Sequence, residues 1–129
     1  MPRILVVADT QWVINEVKSA LSLPGFEVAQ HDDPRTLVAA VGEQRPDVAV
    51  VDLQVGTMGG MAMTRALKEA AQAGDFPDVP VVLLLDRLAD GFLAKRAAAH
   101  SWLVKPFSPH QLREAVDAAV GSKETTQQP

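Results

Sequence analysis

Five apolar runs, at 3–8, 26–31, 47–52, 79–85 and 101–105, alternate with five stretches of helical periodicity, at 11–22, 34–43, 60–73, 89–98 and 109–120. Three of the runs are near-continuous Val, Ile and Leu, the pattern of strands covered on both faces. FEVAQH at 26–31 alternates instead, which predicts an edge strand. In the first helical stretch Val13, Val17, Ala20 and Leu21 form one apolar stripe. Met63, Leu67 and Ala70 do the same in the third. Asp33-Pro34 reads as an N-cap followed by proline at the first helical position. Ser108-Pro109 with Gln111 reads as a capping box that opens the last helix, which buries Leu112, Val116 and Ala119 and stops at Gly121. SKETTQQP, at 122–129, is polar and aperiodic and is expected to be a disordered tail. The βα alternation implies one parallel sheet with helices on both faces, within a single domain over residues 1–121.

Chemistry gathers at the strand ends. Asp9, Asp52, Leu85 and Lys105 each stand at the carboxyl end of an apolar run. In an open parallel sheet those ends line one crevice, where ligands bind. Two carboxylates and an ammonium there suggest an acidic cation site with a lysine beside it, and a leucine at the fourth position is out of place.

Composition narrows the function classes. The net charge is -4 and the pI about 5.2, which argues against a nucleic-acid or anionic-membrane footprint. There is no cysteine, hence no disulfide framework or thiol chemistry. The first apolar run is too short for a signal peptide, and no stretch approaches the ~20 residues of a membrane span. A soluble, cytoplasmic protein is expected. VADTQW carries no glycine-rich phosphate loop, and no acid-base pair suits turnover, so a small flavodoxin-like enzyme or cofactor binder is disfavoured. No helix-turn-helix follows residue 121, so a DNA-binding regulator is not expected.

From about residue 3 to residue 120 the chain resembles a receiver domain of the two-component response regulators. The resemblance lies in ILVVAD, in DVAVVDLQVGTMGGM, in VPVVLLL and in WLVKPF, taken in that order and spacing. It implies a flavodoxin-like, doubly wound parallel sheet of five strands in the order 2-1-3-4-5, with five helices. It implies that Asp52 accepts a phosphoryl group from a histidine kinase or another phosphodonor, and that Lys105 pairs with the phosphoryl oxygens. Asp9, Asp52 and the backbone carbonyl of Gln54 would ligate Mg²⁺. Pro106 would follow a cis bond. Output would pass to a protein partner, or to a second copy in a homodimer, through the face of the fourth helix, fifth strand and fifth helix, which carries Lys95, Arg96, Trp102, Arg113 and Asp117.

The departures from the family pattern are as telling as the matches. Ala8 replaces the first acid of the pair, which predicts weak Mg²⁺ binding. Leu85 replaces the Thr or Ser whose hydroxyl donates to the phosphoryl group, a loss of about 1.5–3 kcal/mol of charge-assisted hydrogen bonding. Trp102 occupies the switch-aromatic position, either packed in its groove or moving. Asp86, at the pocket mouth, replaces a small residue and reads first as a solvated loop acid; the alternative is that it caps Lys105 and mimics a charged ligand. Gly56 replaces a proline and should loosen its loop. Ala98 replaces a glycine that ends the fourth helix, at a cost of about 1–2 kcal/mol if it is left-handed.

Simpler readings stand beside these. Asp52 and Lys105 would also serve as a structural ion pair, and Asp9 as an acid favoured by a helix dipole. Trp12 reads as a helix residue near the site with no role of its own. Met58, Met61 and Met63 read as core and loop filler, and His31, His100 and His110 lack metal-ligand spacing and read as solvated. Two functions stay open, a stand-alone phosphoreceiver and a pseudo-receiver that works as an interaction module without phosphorylation.

Overall fold

The computed structural model describes residues 2–22, 25–56 and 59–126. The strands are β1 (Arg3–Val7), β2 (Glu27–His31), β3 (Val48–Asp52), β4 (Val81–Leu85) and β5 (Ser101–Val104). They alternate with α1 (Gln11–Ala20), α2 (Leu37–Gln44), α3 (Gly60–Gln72), α4 (Gly91–Arg96) and α5 (Pro109–Thr126), with short 3-10 turns leading into α2 and α4. All neighbouring strands pair parallel, in the order β2-β1-β3-β4-β5. β2 lies on an edge and exposes most of its residues, as its alternating sequence predicts.

Strand alternation sorts the core into two layers. Leu5, Val7, Ala49, Val51, Val81, Leu83 and Leu85 face α2, α3 and α4, where they meet Leu37, Val41, Met63, Leu67 and Ala94. Ile4, Val6, Ala8, Val48, Val50, Val82 and Leu84 face α1 and α5, where they meet Val13, Val17, Leu112, Val116 and Ala119. The buried stripe on each of α1, α3 and α5 is the one its periodicity predicts.

The predicted caps are present. The Asp33 carboxylate accepts the Arg35 N–H at 3.0 Å. Ser108 and Gln111 form both halves of the capping box: the Ser108 N–H donates to Gln111 Oε1 at 2.8 Å, and the Gln111 N–H donates to Ser108 Oγ at 3.1 Å. The end of α5 departs from expectation. The helix runs through Gly121 to Thr126, because a half-buried glycine lowers helix propensity by only about 1 kcal/mol and no proline follows it directly. Of the expected tail, residues 127–129 lie outside the described residues, as does Met58.

Two backbone positions singled out in the sequence are left-handed. Gly56 has φ +57° and Ala98 has φ +67°. Ala98 ends α4 in a Schellman motif: its N–H donates to the Lys95 carbonyl at 3.0 Å, and the Ala99 N–H to the Ala94 carbonyl at 3.1 Å. The end of α3 repeats this motif with Gly74, φ +88°, at the same place.

Candidate phosphoacceptor site

Asp52 is the last residue of β3 and continues the series Val48, Val50 that faces α1 and α5. It is 1% exposed. Lys105 directly follows β5, and its N–H donates to the Leu85 carbonyl at 2.8 Å, which fixes the β5 exit against the end of β4. From there its ammonium reaches Asp52 Oδ1 at 2.5 Å. Burial pushes the Asp52 carboxyl above the ordinary aspartate range, while the Lys105 hydrogen bond and charge pull it back only in part. The peptide bond between Lys105 and Pro106 is cis.

Asp86 is partnered on both oxygens. Oδ1 accepts from Lys105 Nζ at 3.2 Å, and Oδ2 accepts from the Gln54 side-chain amide at 2.7 Å. The reading of Asp86 as a solvated loop acid is thereby corrected, because the parallel exits of β3, β4 and β5 bring three loops within side-chain reach. Gln54 was expected to contribute a backbone carbonyl, and its side chain also spans the mouth of the crevice.

Asp9 is exposed, and its Oδ2 accepts the Gly56 N–H at 2.7 Å. The loop after β3 is therefore tied to the end of β1, which overturns the expectation that Gly56 loosens it. Proline at 56 has no N–H to give and cannot adopt φ +57°. Ala8, at the lost acid position, is 1% exposed and packs into the α1/α5 layer.

Leu85 is fully buried in the layer beneath α2, α3 and α4, the opposite side of the sheet from Val50 and Leu84. Trp102 packs against the same layer, and its ring lies over Gly91 so closely that a Cβ there would sit 2.9 Å from Trp102 Nε1. Leu85 and Trp102 thus lie on the same face of the sheet.

Two residues depart from the role the sequence reading gave them. Trp12, on the first turn of α1, lies with its ring 5.7 Å from Lys105 Nζ, a cation–π contact, so it belongs to the site. Arg113, placed by sequence on the α4–β5–α5 face, donates instead to the Ala20 carbonyl at 3.4 Å and bridges α5 to α1. The exposed apolar side chains Leu88, Phe92 and Leu93 were also missed, because the short α4 gives too few turns to define a periodic stripe. His31 is hydrogen-bonded to the Asp33 carbonyl and Thr36 Oγ1 rather than simply solvated.

Among the described residues, no three or more His, Cys, Asp or Glu converge to hold a metal, and no helix is long and apolar enough to cross a membrane.

The chain is similar to PrrA, a transcriptional regulatory protein of Mycobacterium tuberculosis, with 33% identity over 97% of this chain and 52% of that protein. It thus spans about half the length of that relative. It is similar at full length to protein PilH of Pseudomonas aeruginosa, with 28% identity over 93% of this chain and 98% of PilH. Among solved structures, the chemotaxis response regulator CheY4 of Vibrio cholerae superposes with a TM-score of 0.79 at 26% identity, covering 92% of this chain and 98% of CheY4. The family model for the response regulator receiver domain matches residues 4–117. With that match over most of its length, and with a fold that superposes on CheY4, the chain belongs to the response regulator receiver domain family, signalling modules of two-component systems.

Proposed function

We propose that this chain is an atypical single-domain receiver in which Asp52 is the phosphoacceptor. The observation that carries this reading is the buried Asp52 carboxylate at the end of β3 with the Lys105 ammonium 2.5 Å away. A carboxylate oxygen of Asp52 attacks phosphorus as the bond from phosphorus to the donor's leaving atom breaks, and the product is an acyl phosphate. Lys105 then neutralises phosphoryl oxygens. The donor is a histidine kinase or a small phosphodonor in the cytoplasm.

The site's oxygen-only donors suit Mg²⁺, which keeps several waters and needs few protein ligands. Asp9, Asp52 and the Gln54 carbonyl would hold it. Mg²⁺ supplies charge neutralisation for the incoming phosphoryl group. Ala8 gives no donor and one Asp9 oxygen is committed to Gly56, so binding is weak, with a dissociation constant in the millimolar range or above, on the order of 4 kcal/mol.

The test is mass spectrometry after treatment with Mg²⁺ and a small phosphodonor. Slow, incomplete labelling at Asp52 is expected, and none in Asp52→Ala. Labelling that survives Asp52→Ala would refute the assignment.

A second reading, an interaction module independent of phosphorylation, is favoured by Leu85, which packs where a phosphoryl-sensing hydroxyl would stand. Its partner would dock on α4, β5 and α5, where Phe92, Lys95, Arg96 and Asp117 are exposed. Equal partner binding or self-association by wild type and Asp52→Ala supports this reading; binding that appears only after phosphodonor treatment restores the ordinary switch.

A further inference from the structure

Lys105 is the positive centre of the crevice, and the protein surrounds it. Its side chain is 12% exposed and meets Asp52 on one side, Asp86 on a second and the Trp12 ring on a third. Asp86, in turn, is tethered across the mouth by the Gln54 amide. A carboxylate so placed offers Lys105 the same partner that an oxyanion would: a negatively charged oxygen at hydrogen-bonding distance. Asp9, Asp52 and Asp86 against Lys105 leave the crevice with a formal charge of -2, three negative charges less one positive. We infer that Asp86 is a resident anion, held by Gln54, that occupies Lys105 and closes the crevice to phosphoryl-type oxyanions until it is displaced. Asp86 is thus a positioning residue for Lys105, and Gln54 positions Asp86. Exposed ion pairs contribute little because water competes for both partners. This one differs, since Lys105 is largely buried and the carboxylate is anchored from a second loop. The latch goes beyond the phosphoacceptor assignment, on which only its effect on phosphorylation rests.

The test reads Lys105 directly. Brief treatment of the intact protein with acetic anhydride, followed by peptide mass spectrometry, gives the acylation rate of each lysine. Exposed Lys18 and Lys95 act as internal standards. Asp86→Ala should raise the Lys105 rate about tenfold, the scale of losing one charge-assisted hydrogen bond. Asp86→Asn, which keeps an acceptor without the charge, and Gln54→Ala, which frees the tether, should each give a smaller rise, with Lys18 and Lys95 unchanged. A Lys105 rate in Asp86→Ala equal to wild type, or a rise shared by all lysines, overturns the latch. A second arm treats the same variants with Mg²⁺ and phosphoramidate. Faster labelling of Asp52 in Asp86→Ala supports the closure. Measurable Asp52 labelling that proceeds at the same rate in wild type and Asp86→Ala, while Lys105 is freed, overturns it. Freed Lys105 with no labelling in any variant supports the latch and removes Asp52 as acceptor.

Discussion

The Asp9 carboxylate accepts the Gly56 N–H at 2.7 Å, joining the end of β1 to the loop after β3. That bond depends on a left-handed residue at 56. A Cβ there would approach Pro34 Cγ to 2.7 Å, and Pro34 is a rigid ring. Gly56→Ala should therefore destabilise the protein by about 2 kcal/mol through left-handed strain and the clash. Gly56→Pro, the residue usual in the family, should cost more, since it also removes the donor to Asp9. Urea unfolding of the three proteins checks the order; a Gly56→Pro variant as stable as wild type would contradict it.

Leu85, the last residue of β4, is fully buried in the layer beneath α2, α3 and α4. Restoring the family's hydroxyl by Leu85→Thr removes apolar volume and buries a polar group, at a cost of about 2–4 kcal/mol. The expected outcome is a lower unfolding midpoint with an unchanged m-value. Unfolding at wild-type stability would indicate that the site tolerates the hydroxyl.

Ala98 holds φ +67° at the end of α4, in the motif that Gly74 completes for α3. A Cβ in that conformation costs about 1–2 kcal/mol, and glycine gives back part of this through a freer unfolded chain. Ala98→Gly should stabilise by up to about 1 kcal/mol, seen as a rise in Tm. Gly74→Ala should shift Tm in the opposite direction.

Asp52 is buried and its carboxyl is raised above the ordinary value of 3.8. An acid with a raised folded-state pKa contributes stability that is fully present below 3.8 and lost as pH rises through the folded value. At neutral pH the ionised group therefore opposes folding. Asp52→Asn should be more stable than wild type at pH 7, while Asp86 continues to hold Lys105. The difference should shrink as pH falls toward 3.8. Urea midpoints of both proteins across this range check it; a difference that grows on acidification would reverse the sign.

Much of this protein is legible in its residues one segment at a time. Continuous Val, Ile and Leu runs mark β1, β3 and β4 because both faces of those strands are covered. Ser108 and Gln111 mark the start of α5 because its first N–H groups need acceptors. Asp9, Asp52 and Lys105 could be placed together because parallel strands deliver their carboxyl ends to one edge. These are local rules of period and capping, combined with one rule of topology.

Tertiary structure alone decided how the loops close over that edge. Asp86 meets Gln54 across 32 positions of sequence, and Gly56 meets Asp9 across 47. Trp12 reaches Lys105 from α1. No period or cap encodes such contacts, since they depend on the course of loops whose conformation is fixed by packing around them. Gly56 shows this most clearly. By sequence it is a flexible substitute for proline, yet in the fold it is the residue whose left-handed backbone brings an N–H to Asp9.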